Sequence, residues 1–182
     1  MKRILSFLLA VCVILGLAGC IRTEHRPQKQ AQWVTGSWEK RYASLRELTA
    51  DSELIAIVTV QERTAGKEDA LPSTLFTVKI HTLLWGAPLT DTFTVAMTGG
   101  EKDGVLIQVT DDPLMEKEEM YLLFCTENTD GTFRVLGGPQ GRFRYQDGSL
   151  TPVYKPAIDI LMKKQADADT VCAEIISYLT TS

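Results

Sequence analysis

The chain is poor in the residues that most often carry chemistry. It has two histidines in 182 residues and no HExxH or CxxC spacing, so the usual zinc sites lack a ligand set. No G-x-S-x-G turn presents a serine nucleophile. No glycine-rich loop ends in the Lys-Ser/Thr pair of a phosphate-binding loop. The acidic pairs Asp111-Asp112 and Glu118-Glu119 lack the alternating oxygens and central glycine of an EF-hand, and read as a solvated loop and a strand start. The apolar run Ile4 to Leu17 has 14 residues, short of the roughly 20 that a helix needs to cross a bilayer. Basic runs are absent and the net charge is −4, which argues against a nucleic-acid partner. No cofactor or metal is implied. What remains is ordinary for a folded chain: 45% apolar and 23% charged residues, enough to build one core and too apolar for disorder throughout.

The first residues concern location. Lys2 and Arg3 form a basic start, and Ile4 to Leu17 has the length of a signal-peptide core. The run ends in Leu17-Ala18-Gly19-Cys20, which resembles the lipobox of bacterial lipoproteins. That resemblance implies a signal peptide over residues 1–19, a diacylglyceryl group on the Cys20 thiol, and Cys20 as the mature N-terminus. Two acyl chains anchor stably where one is marginal. The expected location is the cell envelope, on the extracytoplasmic side of the membrane; an uncleaved anchor with an incidental cysteine is the alternative. Cleavage would leave 163 residues with 17 basic and 23 acidic side chains, a charge of −6. Polar residues Arg22 to Gln32 then read as a tether, making 20–32 the anchor and linker, with His25 solvated in it. Residues 33–182 are expected to form a single domain.

Within that domain the period of the pattern changes twice. Ser44-Leu45-Arg46-Glu47 is a capping box that predicts a short helix ending near Asp51-Ser52. Leu54, Ala56, Val58 and Val60 alternate with Ile55, Ile57 and Thr59, predicting a strand covered on both faces. Gly66 to Pro72 reads as a break. Further strands are predicted over Thr74–Leu84, around Phe93–Met97, Val105–Val109 and Met120–Cys125. Short ones follow around Phe133, Phe143 and Leu150, joined by the turn dipeptides Asp130-Gly131 and Asp147-Gly148. Helical spacing returns over Ala168–Thr180, with Val171, Cys172, Ile175, Ile176 and Leu179 in one stripe and Asp167 or Asp169 as cap. A less regular helical stretch is expected over Ala157–Lys164. Trp33, Trp38 and Tyr42 are expected to pack on the exterior of the sheet, an exposed aromatic patch being the alternative. The fold class is mostly β: a small antiparallel barrel, closed or nearly so, with a short N-terminal helix and a packed C-terminal helix.

The succession SELIAIVTV, TLFTVKIHTLLWG, TFTVAMTGG, KEEMYLLFC and TFRVLGGPQGRF resembles a group of uncharacterised exported bacterial proteins. Their pattern includes a Gly-Glu-x-Tyr-Leu-Leu-Phe strand and a Gly-Gly-x-x-Gly-x-Phe turn. More distantly the layout is similar to the OB-type barrels of netrin-like and metalloprotease-inhibitor (TIMP-like) domains. Glu118 stands where that strand motif has glycine, which implies a looser turn before the strand.

The densest local signal is Gly137 to Phe143. Its glycines permit close backbone approach, Arg142 suits a carboxylate and Gln140 can donate or accept. Gly99, Gly100, Gly138, Gln140 and Arg142 are therefore read as a candidate binding rim, against the alternative of a tight strand connection with Arg142 solvated. His81 shares a face with Thr77 and Lys79 and reads as solvated. Export permits a disulfide, and Cys125 and Cys172 are read either as a bridge beneath the C-terminal helix or as two unpaired buried thiols. No catalytic constellation emerges, so the chain is read as a non-enzyme. The functional expectation is a lipid-anchored binding module for an envelope protein or a small ligand. The alternatives are an inhibitor-like domain, implied by the distant barrel resemblance, and an envelope enzyme.

Overall fold

The computed structural model describes residues 31–154 and 166–181. The expected signal peptide, Cys20, most of the expected tether and the helical stretch expected over Ala157–Lys164 lie outside the described residues. The elements are β1 (Ala31–Val34), α1 (Leu45–Ala50), β2 (Leu54–Glu68), β3 (Pro72–Trp85), β4 (Thr92–Thr98) and β5 (Gly100–Lys102). They continue with β6 (Val105–Val109), β7 (Met120–Glu127), β8 (Phe133–Val135), a 3-10 turn (Gly138–Gly141), β9 (Arg142–Gln146), β10 (Ser149–Pro152), β11 (Ala166–Asp167) and α2 (Ala168–Thr180).

Five strands close a barrel in the order β7-β2-β3-β4-β8, with β8 returning to pair with β7. The small closed barrel is the one the strand pattern predicted, and its circuit is that of the OB-type barrels that the distant resemblance implied. Its pairings are antiparallel except one: β8 runs parallel to β4 through Val95 and Phe133. Closure removes the open edges that a five-stranded sheet would otherwise expose. β6 is not a barrel strand. It joins β1 and β5 in a separate three-stranded sheet, parallel to β1.

Two clusters form the core, one on each face of the barrel wall. Leu54, Ala56, Val58, Tyr121, Leu123 and Cys125 point into the barrel with Phe76, Val78 and Val95. Their neighbours Ile55, Ile57, Leu122 and Phe124 point outward, under α1 and α2. Continuous apolar sequence in β2 and β7 follows from this two-sided burial. Each such side chain contributes roughly 1.5–3 kcal/mol on leaving water.

The helix ends follow their sequence signals. Ser44 Oγ accepts from Glu47 N–H at 3.2 Å, and the Glu47 carboxylate accepts from Ala43 N–H at 3.0 Å. Asp167 caps α2 by accepting from Thr170 N–H at 2.8 Å. The break expected over Gly66 to Pro72 is only partly met: β2 runs on to Glu68, its ladder with β3 is irregular across Gly66 and Lys67, and the turn falls between Glu68 and Pro72. Alternation is lost there because Gln61 to Lys67 lie mostly exposed, with no buried face to impose a period.

Glu118 departs from expectation in the opposite sense. It adopts φ 68°, the left-handed conformation that the glycine of the resembling motif would supply. Its N–H donates to Val60 O at 2.8 Å, so the turn before β7 is tight despite the side chain.

Candidate functional site

The candidate rim is mostly a buried joint. β7 presents one edge to two partners in succession, β9 along Met120–Leu123 and β8 along Cys125–Glu127. The chain must leave the barrel at β8, cross over and rejoin the same strand edge as β9. Gly137 and Gly138 make that crossing, at φ 60° and 59°, and the 3-10 turn follows. The glycine-rich motif thus serves as a strand connection.

Its polar side chains are turned inward. Arg142 is 1% exposed, and its Nη2 donates to Asp112 Oδ1 and to Pro113 O, each at 2.5 Å. Burial pushes the Asp112 carboxyl up and the Arg142 guanidinium down, against their mutual attraction. Arg142 also stands 5.7 Å over the Tyr121 ring, whose hydroxyl donates to Glu119. Gln140 clamps the backbone of Tyr42: its Oε1 accepts from Tyr42 N–H at 3.0 Å and its Nε2 donates to Tyr42 O at 3.1 Å. Gly99 and Gly100 are buried, with Thr74 Oγ1 donating to Gly99 O at 2.7 Å. Gly99, Gly100, Gln140 and Arg142 therefore do not form a contact rim, and Arg142 is not solvated. The expectation of a solvated Asp111-Asp112 pair fails for Asp112 on the same ground.

What these groups hold in place is the segment from Ser37 to Tyr42, here termed the strap. Trp38 lies directly over Gly138, where a Cβ would come within 1.6 Å of its Nε1. The Trp38 indole also donates to Asp112. Tyr42 is buried at 3% exposure, whereas Trp33, before the strap, is 57% exposed. The expected packing holds for two of the three aromatic residues. The sequence signal that could have located the strap was the glycine pair opposite a tryptophan, a pairing visible only once the chain is folded.

Between the strap and the barrel lies a cleft of about 740 Å³. Trp38, Lys40, Tyr42 and Asp51 form one side; Arg134, Leu136 and Gly138 form the other. Gly138 is the one member of the expected rim that reaches it. Lys40 pairs with Asp51 at 2.6 Å and holds that carboxyl below its usual range. Tyr42 is pushed up to about 12 by burial and then by the Asp51 charge. Arg134 meets Glu39 only loosely, at 3.6 Å, and both remain open to water. The cleft combines aromatic walls with charges of both signs, an arrangement suited to holding a ligand. Among the described residues no group of three His, Cys, Asp or Glu could hold a metal.

The two thiols are free. Parity places Cys125 with Tyr121 and Leu123 inside the barrel, while Cys172 packs against the outer cluster. They lie on opposite sides of the barrel wall, so of the two readings the unpaired thiols hold and the bridge beneath α2 does not, with Cys172 only half-buried. The bridge reading failed because it put Cys125 on the helix-covered face, which belongs to Leu122 and Phe124. Burial raises the pKa of both thiols. His81 is exposed on β3, as expected.

No helix among the described residues is long and apolar enough to cross a membrane. No protein-family model matches the chain, and no curated protein is similar to it.

Proposed function

We propose that the chain is a lipid-anchored, extracytoplasmic binding module that takes its ligand in the cleft between the strap and the barrel. The cleft is the single observation that carries this reading: a concave site with Trp38 and Tyr42 as apolar walls and Lys40, Asp51 and Arg134 at its sides. The location rests on the basic start, the 14-residue apolar run and the Leu-Ala-Gly-Cys ending. The strap follows the tether within a few residues, so the anchor would keep the barrel and its cleft within a tether's length of other envelope components. An envelope protein or a small envelope ligand is the occupant.

The test is photo-crosslinking in the producing cell. A photoreactive residue at Ser37 samples the cleft, and one at Thr151 on β10 serves as control. A discrete adduct from Ser37 and none from Thr151 is the expected result. Equal labelling from both positions, or none from Ser37, would remove the cleft assignment. The intact mass of the same preparation reads the anchor separately: a diacylglyceryl increment is expected and should vanish in Cys20→Ser.

A further inference from the structure

At the end of the barrel, β3 outruns its neighbour. Its ladder with β4 stops at Lys79, where Ile80 N–H still donates to Asp91 O at 2.8 Å, and residues 82–85 run on along β2 with their other edge open before the loop projects. The projection carries Leu83 at 44% exposure, Trp85 at 46% and, in the loop beyond, Leu89 at 102%. Between His81 and Asp91 the sequence is TLLWGAPLT, nine residues without an ionisable group. The charges at its base, Lys79 and Asp91, face each other at 3.9 Å. An uncharged projection tipped by a fully exposed leucine, with a tryptophan behind it, is costly to leave in water.

We infer that this projection docks on the lipid surface, with Trp85 at the headgroup level and Leu89 beyond it. The inference rests on the proposed anchor at Cys20. Residues 20–30 are 11 in number and extend at most about 36–40 Å. That keeps the barrel near the bilayer and leaves enough slack for either of its ends to face the lipid. The apolar projection selects the end. Tryptophan favours the membrane interface because its ring is apolar and its N–H remains wet. A pair of exposed apolar residues binds lipid weakly in free solution. A tether turns the same contact into an intramolecular one at high effective concentration, so weak insertion suffices to orient the domain. Absence of charge in the loop matches a zwitterionic surface, whereas a chain of net charge −4 gains nothing from an anionic one.

The full chain in excess phosphatidylcholine vesicles, some of them brominated on the acyl chains, provides the test. Lipid quenching of tryptophan emission is expected in the unaltered protein. At least half of it should disappear in Trp85→Phe and in Leu89→Asp, while Trp33→Phe leaves most of it. The far-UV spectrum and melting curve of each variant establish that it is folded. Quenching that is absent, or unchanged by both loop substitutions, would overturn the inference. So would concentration-dependent dimerisation of lipid-free Cys20→Ser protein that Leu89→Asp abolishes, because a second copy would then cover the loop. Intact mass reports on the anchor independently. An unacylated chain whose Trp85 is still quenched would remove the anchor and leave the loop, and an acylated chain without quenching would do the reverse.

Discussion

Replacing Arg142 by alanine should destabilise the fold rather than merely weaken binding. The guanidinium is 1% exposed and the Asp112 side chain 14%, and they meet at 2.5 Å. Truncation would remove one charge and leave the other in a site too dry to solvate it, with the Trp38 indole as its remaining side-chain donor. Breaking a buried pair from one side costs about 3–5 kcal/mol. Pro113 O would lose its partner too, which adds to the cost. For a domain of this size the loss corresponds to a fall in melting temperature on the order of 10 °C. The pair as a whole is a different matter. Burial outweighs attraction for both partners, so removing both charges together should restore much of what the single change loses. The assay is a double-mutant cycle in urea with Arg142→Ala, Asp112→Ala and both. A coupling of about 2–3 kcal/mol is expected. Two single losses below about 1 kcal/mol that simply add would refute the buried-pair argument and restore a solvated arginine.

Three other outcomes follow from particular residues. Glu118→Gly should raise stability by about 1 kcal/mol in urea denaturation, because φ 68° strains the glutamate and suits glycine; a loss would show that the side chain compensates for its conformation. Tyr42 should ionise late, near pH 12, in a titration of the five tyrosines, and Tyr42→Phe should delete that step. The folded pKa is raised, so the Tyr42 contribution is whole below about pH 10 and drains away as pH rises from 10 toward 12; denaturant midpoints at pH 9 and 11.5 would reveal it. Gly138→Ala should displace Trp38, moving its emission to longer wavelength and loosening the strap, since a Cβ there meets the indole at 1.6 Å. An unchanged spectrum would mean that the strap is held without this contact.

How legible the molecule was varied with the range of the interaction. The caps of both helices, the strands over Leu54–Val60 and Met120–Cys125, and the stripe of α2, except for Ile176 at 46% exposure, were readable because each depends on neighbours a few residues away. The mostly β class followed from the period-two pattern in the middle of the chain, and the barrel from the need to hide strand edges, while the separate sheet of β6 was not foreseen. The stretch of β2 past Val60 was missed because Gln61 to Lys67 lie mostly exposed and no alternation marks them. Cys125 was assigned to the wrong face, which no local pattern could prevent: every residue from Tyr121 to Cys125 is buried, so hydrophobicity does not distinguish inside from outside.

The candidate site divides along the same line. Sequence alone indicated that Gly137-Gly138 permits a sharp turn and that Arg142 suits a carboxylate, since these are properties of the residues themselves, and it left a solvated Arg142 open. Which partners answer was decided by tertiary structure. Gln140 meets Tyr42 across 98 positions and Arg142 meets Asp112 across 30. Those separations are bridged only when the barrel closes and β7 offers one edge to two strands. Desolvation then converts Arg142 and Gln140 from a binding surface into internal ties, and the cleft opens where the strap they hold stands off the barrel.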